Sequence, residues 1–367
     1  MKNLVNHNLL ELMPYKAGKP IEEIQRKYNL KKVIKLASNE NPFQIPDNVK
    51  SAISGELGNI STYPDSDSFY LRRAIADKND LNFENILIGA GSVEIIRMIT
   101  LAFLKSGEKV LTSEKTFPMY KIATIEKHGY SSFCEAKMDE NFRFSLNNIK
   151  DKIDDSTKVI FLTNPNNPTG TLLPKSEIAE FIESVPDNIF IVLDNAYEEY
   201  VSDKKNYMTG IEYVNKKKNV IILRTFSKIY GLAGLRIGYA FGHPETISML
   251  GRVKAPFNVT RISQNAALES LRSDEFKDRS YDLNIKNREF LLLQLQELGI
   301  DVVPSETNFL MFFPKRDVNI LNEKLLKEGL IVRSLGGFGV PDAMRVTVGF
   351  EEDNNYFVEK LKKILSM

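Results

Sequence analysis

Lys228 stands close to Thr225, Ser227 and Arg236, directly after the apolar run Val220–Leu223. That run reads as a buried strand. A lysine at the end of such a strand is costly unless it has a partner or a covalent task. Two hydroxyls and a permanent cation suit a phosphate group. A carbonyl-reactive amine beside a phosphate grip is what attachment of pyridoxal phosphate requires. An ordinary solvated lysine on a loop would account for the same residues without a ligand.

Three other clusters fall at the ends of apolar runs. Gly89–Ser92 sits at a strand-to-helix junction, where glycine lets the backbone approach an anion and a helix N-terminus offers N–H groups; a plain N-cap by Ser92 is the simpler alternative. Asn164–Gly170 is dense in Asn, Pro and Gly, and Asn167 can donate its amide to a phenolate oxygen. Asp194–Tyr197 ends Ile189–Leu193, and a carboxylate there needs a cationic or hydrogen-bonding partner. A protonated pyridine nitrogen would serve, with Tyr197 beside the same phenolic oxygen as Asn167; helix capping by Asp194 is the alternative. Each cluster alone has an ordinary structural reading. Their joint fit is to one cofactor.

The elements that must hold these groups alternate between about residues 70 and 240. Strands are predicted at Ile86–Gly91, Lys109–Ser113, Lys158–Thr163, Ile189–Leu193 and Val220–Leu223, with helices such as Val93–Leu104 and Lys175–Val185 between them. This pattern implies an α/β fold whose mostly parallel sheet is covered by helices, with ligands at the carboxyl ends of the strands. After about residue 262 the pattern predicts one long helix over Ser263–Leu298, then Thr307–Phe313, helix Val318–Glu328, strands Leu330–Arg333 and Met344–Val348, and a helix Asn354–Ser366. That is a smaller α/β domain. The expected division is a large domain over 45–262, with 1–44 and 263–367 forming an N-terminal arm and the small domain. Residues 1–40 show no sheet pattern of their own.

Composition narrows the function. The 367 residues carry a net charge of +1, which gives no case for nucleic acid or an anionic membrane. One cysteine, Cys134, rules out an intrachain disulfide and fits the reducing cytoplasm. Three scattered histidines give no metal centre. No stretch approaches a membrane span, and Met1–Glu11 lacks the pattern of a secretion signal.

Over nearly its whole length the chain resembles the fold-type-I pyridoxal-phosphate aminotransferases, and among them the histidinol-phosphate aminotransferase family. The four clusters carry the resemblance together with Pro14–Glu23, Lys35–Pro42, Tyr63–Asp65, Pro256–Val259, Pro304–Phe309, Gly329–Arg333 and Met344–Gly349. It implies that Lys228 anchors the cofactor and shuttles the proton. Asp194 would pair with the ring nitrogen, Asn167 and Tyr197 would hold the phenolic oxygen, and Phe117 would stack on the ring. Backbone around Ala90 and Gly91, with Ser92, Thr225, Ser227 and Arg236, would bind the phosphate. Tyr63 would reach the phosphate in a neighbouring subunit, making a homodimer. Arg345, helped by Arg333, would bind the anionic end of each substrate, with Tyr15 and Asn39 nearby and Asn308 a further candidate. For either arginine a structural ion pair is the alternative.

The implied substrates are L-histidinol phosphate and the glutamate/2-oxoglutarate pair. An aromatic-amino-acid aminotransferase or a phosphothreonine decarboxylase on the same scaffold is the alternative. Three positions depart from the family pattern: Val93 for an acidic residue, Asn195 for glutamate, and Phe117 for tyrosine. Phe117 keeps the stacking face and loses one polar handle.

Overall fold

The computed structural model describes residues 4–12, 18–129 and 132–366. In chain order its strands are β1 (Ile34–Lys35), β2 (Ile86–Gly89), β3 (Lys109–Ser113), β4 (Phe133–Ala136), β5 (Thr157–Thr163), β6 (Phe190–Asp194) and β7 (Val220–Thr225). They continue as β8 (Gly238–Gly242), β9 (Asp301–Val303), β10 (Phe309–Phe313), β11 (Leu330–Ile331), β12 (Arg333–Ser334) and β13 (Met344–Thr347). Seven of them form one sheet in the order β2-β8-β7-β6-β5-β3-β4. Its pairings are parallel except that β8 runs antiparallel to both β2 and β7.

The central strands are apolar without alternation because both faces are covered. Val159, Phe161, Val192, Ile221 and Leu223 point to one core, with helix Ser92–Phe103. Ile160, Leu162, Ile191, Leu193 and Ile222 point to the other, with helices Phe69–Lys78 and Lys175–Ser184. Burying each such side chain stabilises the fold by about 1.5–3 kcal/mol. A second, antiparallel sheet in the order β12-β13-β10-β9 has its own core around Leu310, Phe312, Val346, Leu325 and Phe357.

The structure corrects several predicted elements. The long helix over Ser263–Leu298 is two helices, Arg261–Ser270 and Asp274–Glu297. Ser270 and Ser273 turn their hydroxyls back onto the carbonyls of Ala267 and Glu269, which competes with helix continuation. Asp274 and Glu275 then favour a new N-terminus. The strand Leu330–Arg333 divides between sheets: β11 pairs with β1, and β12 with β13. The N-terminal segment therefore does contribute a strand, two residues long and too short to show a pattern. The last helix begins at Glu351, where three acidic residues occupy its first turn. β7 runs past Leu223 to Thr225, pairing with β8, and the charge this buries at Arg224 is met by Glu198 and Glu199, each 2.6 Å from its guanidinium. Gly91, with φ +76°, caps helix Ser92–Phe103 in place of Ser92.

Gly238 matters for the site. It lies opposite both Gly89 and Thr225 in the sheet. A Cβ there would stand 2.6 Å from the Ser92 nitrogen and 3.0 Å from the Arg224 carbonyl oxygen. Only glycine lets β8 press against the β2 turn. Gly238→Ala is expected to lower the unfolding free energy by about 1–3 kcal/mol and to weaken anion binding at Ser92; a variant with unchanged denaturant midpoint and unchanged binding would contradict this packing.

Candidate active site

The carboxyl ends of β5, β6 and β7 converge on a cavity of about 180 Å³. Thr163 and Asn167 reach it from β5 and its following loop, Asp194 and Tyr197 from the end of β6 and the turn after it, and Thr225, Ser227 and Lys228 from the end of β7 and the segment after it. Ala37, Ser38 and Asn39 come from the segment after β1, and Arg333 and Arg345 from β12 and β13. The two sheets thus meet at this cavity.

Its charges are unbalanced toward cations. Lys228, Arg236, Arg333 and Arg345 line it beside one carboxylate, Asp194. Burial, then the neighbouring Arg345 and Arg236, pull the Lys228 ammonium down to about 7, with Glu40 and Asp194 opposing. Lys228 Nζ stands 3.4 Å from the Ser38 carbonyl oxygen and over the Tyr197 ring. Burial pushes Asp194 up to about 6, against the pull of hydrogen bonds from Tyr120 and the Ala196 N–H and of the Lys228 charge. An amine partly neutral at pH 7 and a carboxylate on the edge of protonation mark a site built for chemistry.

Arg345 is positioned from three directions. Its Nη1 donates to Asn167 Oδ1 and its Nη2 to the Ala37 carbonyl at 2.9 Å. Its guanidinium also lies 5.0 Å from the centre of the Phe309 ring and 5.5 Å from that of Phe338. The bond to Asn167 occupies the carbonyl end of that amide, so Nδ2 is the end able to donate to a ligand. Arg333 packs over Phe338 at 5.6 Å. Asn39 donates to the Tyr197 hydroxyl at 2.8 Å, and Asn308 supports Asn39 by donating to its carbonyl.

The anion end is assembled around Arg236, whose φ is +52°. Its Nη1 donates to Ala233 O at 3.0 Å and approaches Ser227 Oγ at 3.4 Å. The guanidinium lies so close to Gly91 that a Cβ there would be 2.7 Å from Nη2. The N–H groups of Ala90 and Gly91 are engaged within the chain, by Glu94 Oε2 and by Gly89 O. The amides left to face an anion are those of Ser92 and Val93, at the start of helix Ser92–Phe103. Glu94, one position after Val93, holds the turn by accepting from both Ala90 and Asn258.

Among the described residues, the structure thus gathers Lys228, Asp194, Asn167, Tyr197, Thr225, Ser227, Arg236, Ser92, Phe117, Asn39, Arg333 and Arg345 around one cavity. Tyr63 lies apart: it is 77% exposed and stacks on Phe257 at 4.5 Å. Tyr15 lies outside the described residues. Asn195 faces inward, donating to the carbonyls of Met208 and Thr209 rather than to a ligand. The sequence reading missed Tyr120, Thr163 and Phe338. Tyr120 lies in the first turn of helix Met119–His128, and its ring meets that of Phe117, which precedes the helix, at 5.7 Å.

The residues present fit pyridoxal phosphate. They offer an amine held near neutrality, a buried carboxylate for a cationic nitrogen, an aromatic face at Phe117, and a glycine cradle backed by arginine for a phosphate.

The profile of the family described as aminotransferase class I and II matches residues 31–361. Histidinol-phosphate aminotransferase of Caldicellulosiruptor saccharolyticus is 41% identical over 354 residues, spanning 96% of this chain and 98% of that one. The chain belongs to the histidinol-phosphate aminotransferase family, within the class I and II aminotransferases. The histidinol-phosphate aminotransferase of Anaeromyxobacter sp. (strain Fw109-5) is 40% identical, with 99% of each chain covered. The fold of this aminotransferase is shared with histidinol-phosphate aminotransferase from Sinorhizobium meliloti, solved in complex with pyridoxal-5'-phosphate: TM-score 0.89 over 98% of this chain and 96% of that chain, at 24% identity. The expected α/β architecture is therefore that of the fold-type-I aminotransferases.

The shifted amine makes a direct prediction. The neutral, reactive form of Lys228 should dominate above about pH 7, so labelling of this lysine by an amine reagent should rise through that pH and level off. In Arg345→Leu the midpoint should move upward, because a neighbouring cation has gone. A Lys228 labelling profile that rises only in the ordinary lysine range would contradict the site electrostatics.

Proposed function

We propose that the protein transfers the amino group of L-histidinol phosphate to 2-oxoglutarate, giving imidazole-acetol phosphate and L-glutamate in histidine biosynthesis, with pyridoxal 5'-phosphate as cofactor. The observation that carries this reading is one cavity in which Lys228 and Asp194 stand together with the hydroxyls of Ser92, Tyr197, Thr225 and Ser227, the Phe117 ring and three arginines. Close relatives at 41% and 40% identity bear the same activity in their names.

When bound, pyridoxal phosphate supplies an aldehyde for covalent attachment and a ring that accepts electrons. Arg236, Ser92, Thr225, Ser227 and the Ser92 and Val93 amides hold its phosphate. Asp194 stays ionised to pair with the ring nitrogen, Asn167 Nδ2 and the Tyr197 hydroxyl face the phenolic oxygen, and Phe117 covers the ring. Lys228 Nζ takes the proton from the amino-bearing carbon of the donor, acting as general base with a basicity matched to neutral pH. Arg345, assisted by Arg333 and with Asn39 beside it, receives a phosphate monoester in one half of the reaction and a carboxylate in the other. A guanidinium fork meets either oxyanion geometry.

The reading assigns the cofactor to a large domain over 45–262, and the substrate's anionic end to the small domain formed by 1–44 and 263–367. It also makes the protein a cytoplasmic homodimer. Tyr63 is exposed and stacks on the exposed Phe257, and Leu57, Ile60, Phe69 and Tyr70 of the same stretch of chain are exposed as well, which suits its delivery to the phosphate site of a second copy. Among the described residues no helix is long and apolar enough to cross a membrane.

The test is a substrate panel on purified protein. L-Histidinol phosphate with 2-oxoglutarate should yield glutamate, and Lys228→Ala should lower turnover by about a hundredfold to ten-thousandfold, the range for losing a general base, or more. Faster turnover of phenylalanine, or release of carbon dioxide from phosphothreonine, would replace this function with a sister activity.

A further inference from the structure

The chemistry above leaves Tyr120 without a part, although its hydroxyl touches the cavity's one carboxylate. The side chain is fully buried. Its ring stacks on Phe161 at 4.4 Å and meets Phe117 edge to face at 5.7 Å. Its hydroxyl donates to Asp194 Oδ2 at 2.6 Å and lies 2.8 Å from Thr163 Oγ1. Thr163 in turn lies 3.3 Å from Thr116 Oγ1, whose own hydrogen goes to Asn166 Oδ1 at 2.8 Å.

Counting hydrogens gives this chain a direction. Each hydroxyl has one proton to donate. An ionised Asp194 only accepts, so the Tyr120 proton is committed to it and Thr163 must donate its own proton to Tyr120 across the 2.8 Å contact; with the Thr116 proton on Asn166, the 3.3 Å approach of Thr116 to Thr163 draws no proton away. The Ala196 N–H supplies the other carboxylate oxygen at 3.2 Å. Every donor in the chain is thus arranged for an ionised Asp194. Without such donors a carboxylate this deeply buried would take up a proton.

We propose that Tyr120 is a positioning residue for Asp194: its hydroxyl, backed by Thr163, keeps that carboxylate ionised and aimed to pair with a cationic ring nitrogen, while its ring sets the face of Phe117. This rests on the cofactor reading above. The titratable groups around Asp194 are Tyr120 from helix Met119–His128, Lys228 from the segment after β7, and Tyr197 and Tyr207 from the chain after β6. Of these, Lys228 also favours the ionised form, so the two contributions must be separated by experiment. The hydrogen bond from Tyr120 is the largest pull opposing the burial that raises Asp194 to about 6.

Tyr120→Phe keeps both ring contacts and deletes only the donor. Two measurements on the full chain test it. In infrared titration of the cofactor-free protein, the protonated Asp194 band, identified by its loss in Asp194→Asn, should persist about one to two pH units higher in Tyr120→Phe than in wild type, as expected for a hydrogen bond to a charged group. Pyridoxal-phosphate affinity should fall about tenfold or more near pH 7, with the gap narrowing at alkaline pH where Asp194 is ionised in either protein. In an Asp194→Asn background the second substitution should cost little more. An unchanged Asp194 midpoint, or an affinity loss equal at all pH values and fully additive with Asp194→Asn, would overturn the proposal. Failure of wild type to bind pyridoxal phosphate would refute the functional reading, and the infrared titration would still decide the role of Tyr120.

Discussion

A lysine and an aspartate buried in one cavity, each pushed toward neutrality by loss of water, form the constraint that organises this protein. Neither group is comfortable alone. Burial takes Lys228 to about 7 and Asp194 to about 6, so small changes in neighbouring charge decide which form each adopts. The surroundings then divide the work. Arg345 and Arg236 disfavour a further positive charge on Lys228, while Tyr120 and the Ala196 amide favour a negative charge on Asp194. The result is an amine able to react and a carboxylate able to hold a cation at the same pH.

Holding that arrangement explains much of the fold. The central parallel strands bury both faces, so their carboxyl ends cannot drift, and the reactive residues sit within one residue or one turn of those ends. Behind them, the buried Arg224 with Glu198 and Glu199 ties β7 to the turn carrying Tyr197. Removing one partner of such a set leaves an uncompensated charge in the interior, which makes it a strict register device. The second sheet contributes from the far side. β13 carries Arg345, and Thr347 accepts the Asn39 N–H at 3.0 Å, so the N-terminal segment and the small sheet close the cavity together.

Much of this was legible in the sequence, and for physical reasons. Apolar runs ending in Asp194, Asn164 and Lys228 expose the expense of placing polar groups at buried strand ends, and that expense is visible without coordinates. Tyr120 was hidden because an aromatic residue at helical spacing reads as core, and only three dimensions bring its hydroxyl to Asp194. Phe338 was hidden for a similar reason: its importance lies in the two guanidinium groups packed around it. The backbone of Ala90 was assigned to an anion by pattern, whereas Glu94 takes its N–H, a contact set by side-chain reach. The helix break at residues 271–273 escaped because apolar periodicity continues across it, while serine back-bonding and a fresh acidic turn end one helix and start another.

The chemistry of the cavity converges on one nitrogen atom, Lys228 Nζ. Its most direct test is to incubate the purified protein with pyridoxal phosphate, reduce with borohydride and map the modified peptides. The account predicts one stable adduct, on Lys228, in the peptide spanning Thr225–Arg236. Adducts spread over surface lysines, or absence of any adduct at Lys228, would contradict it.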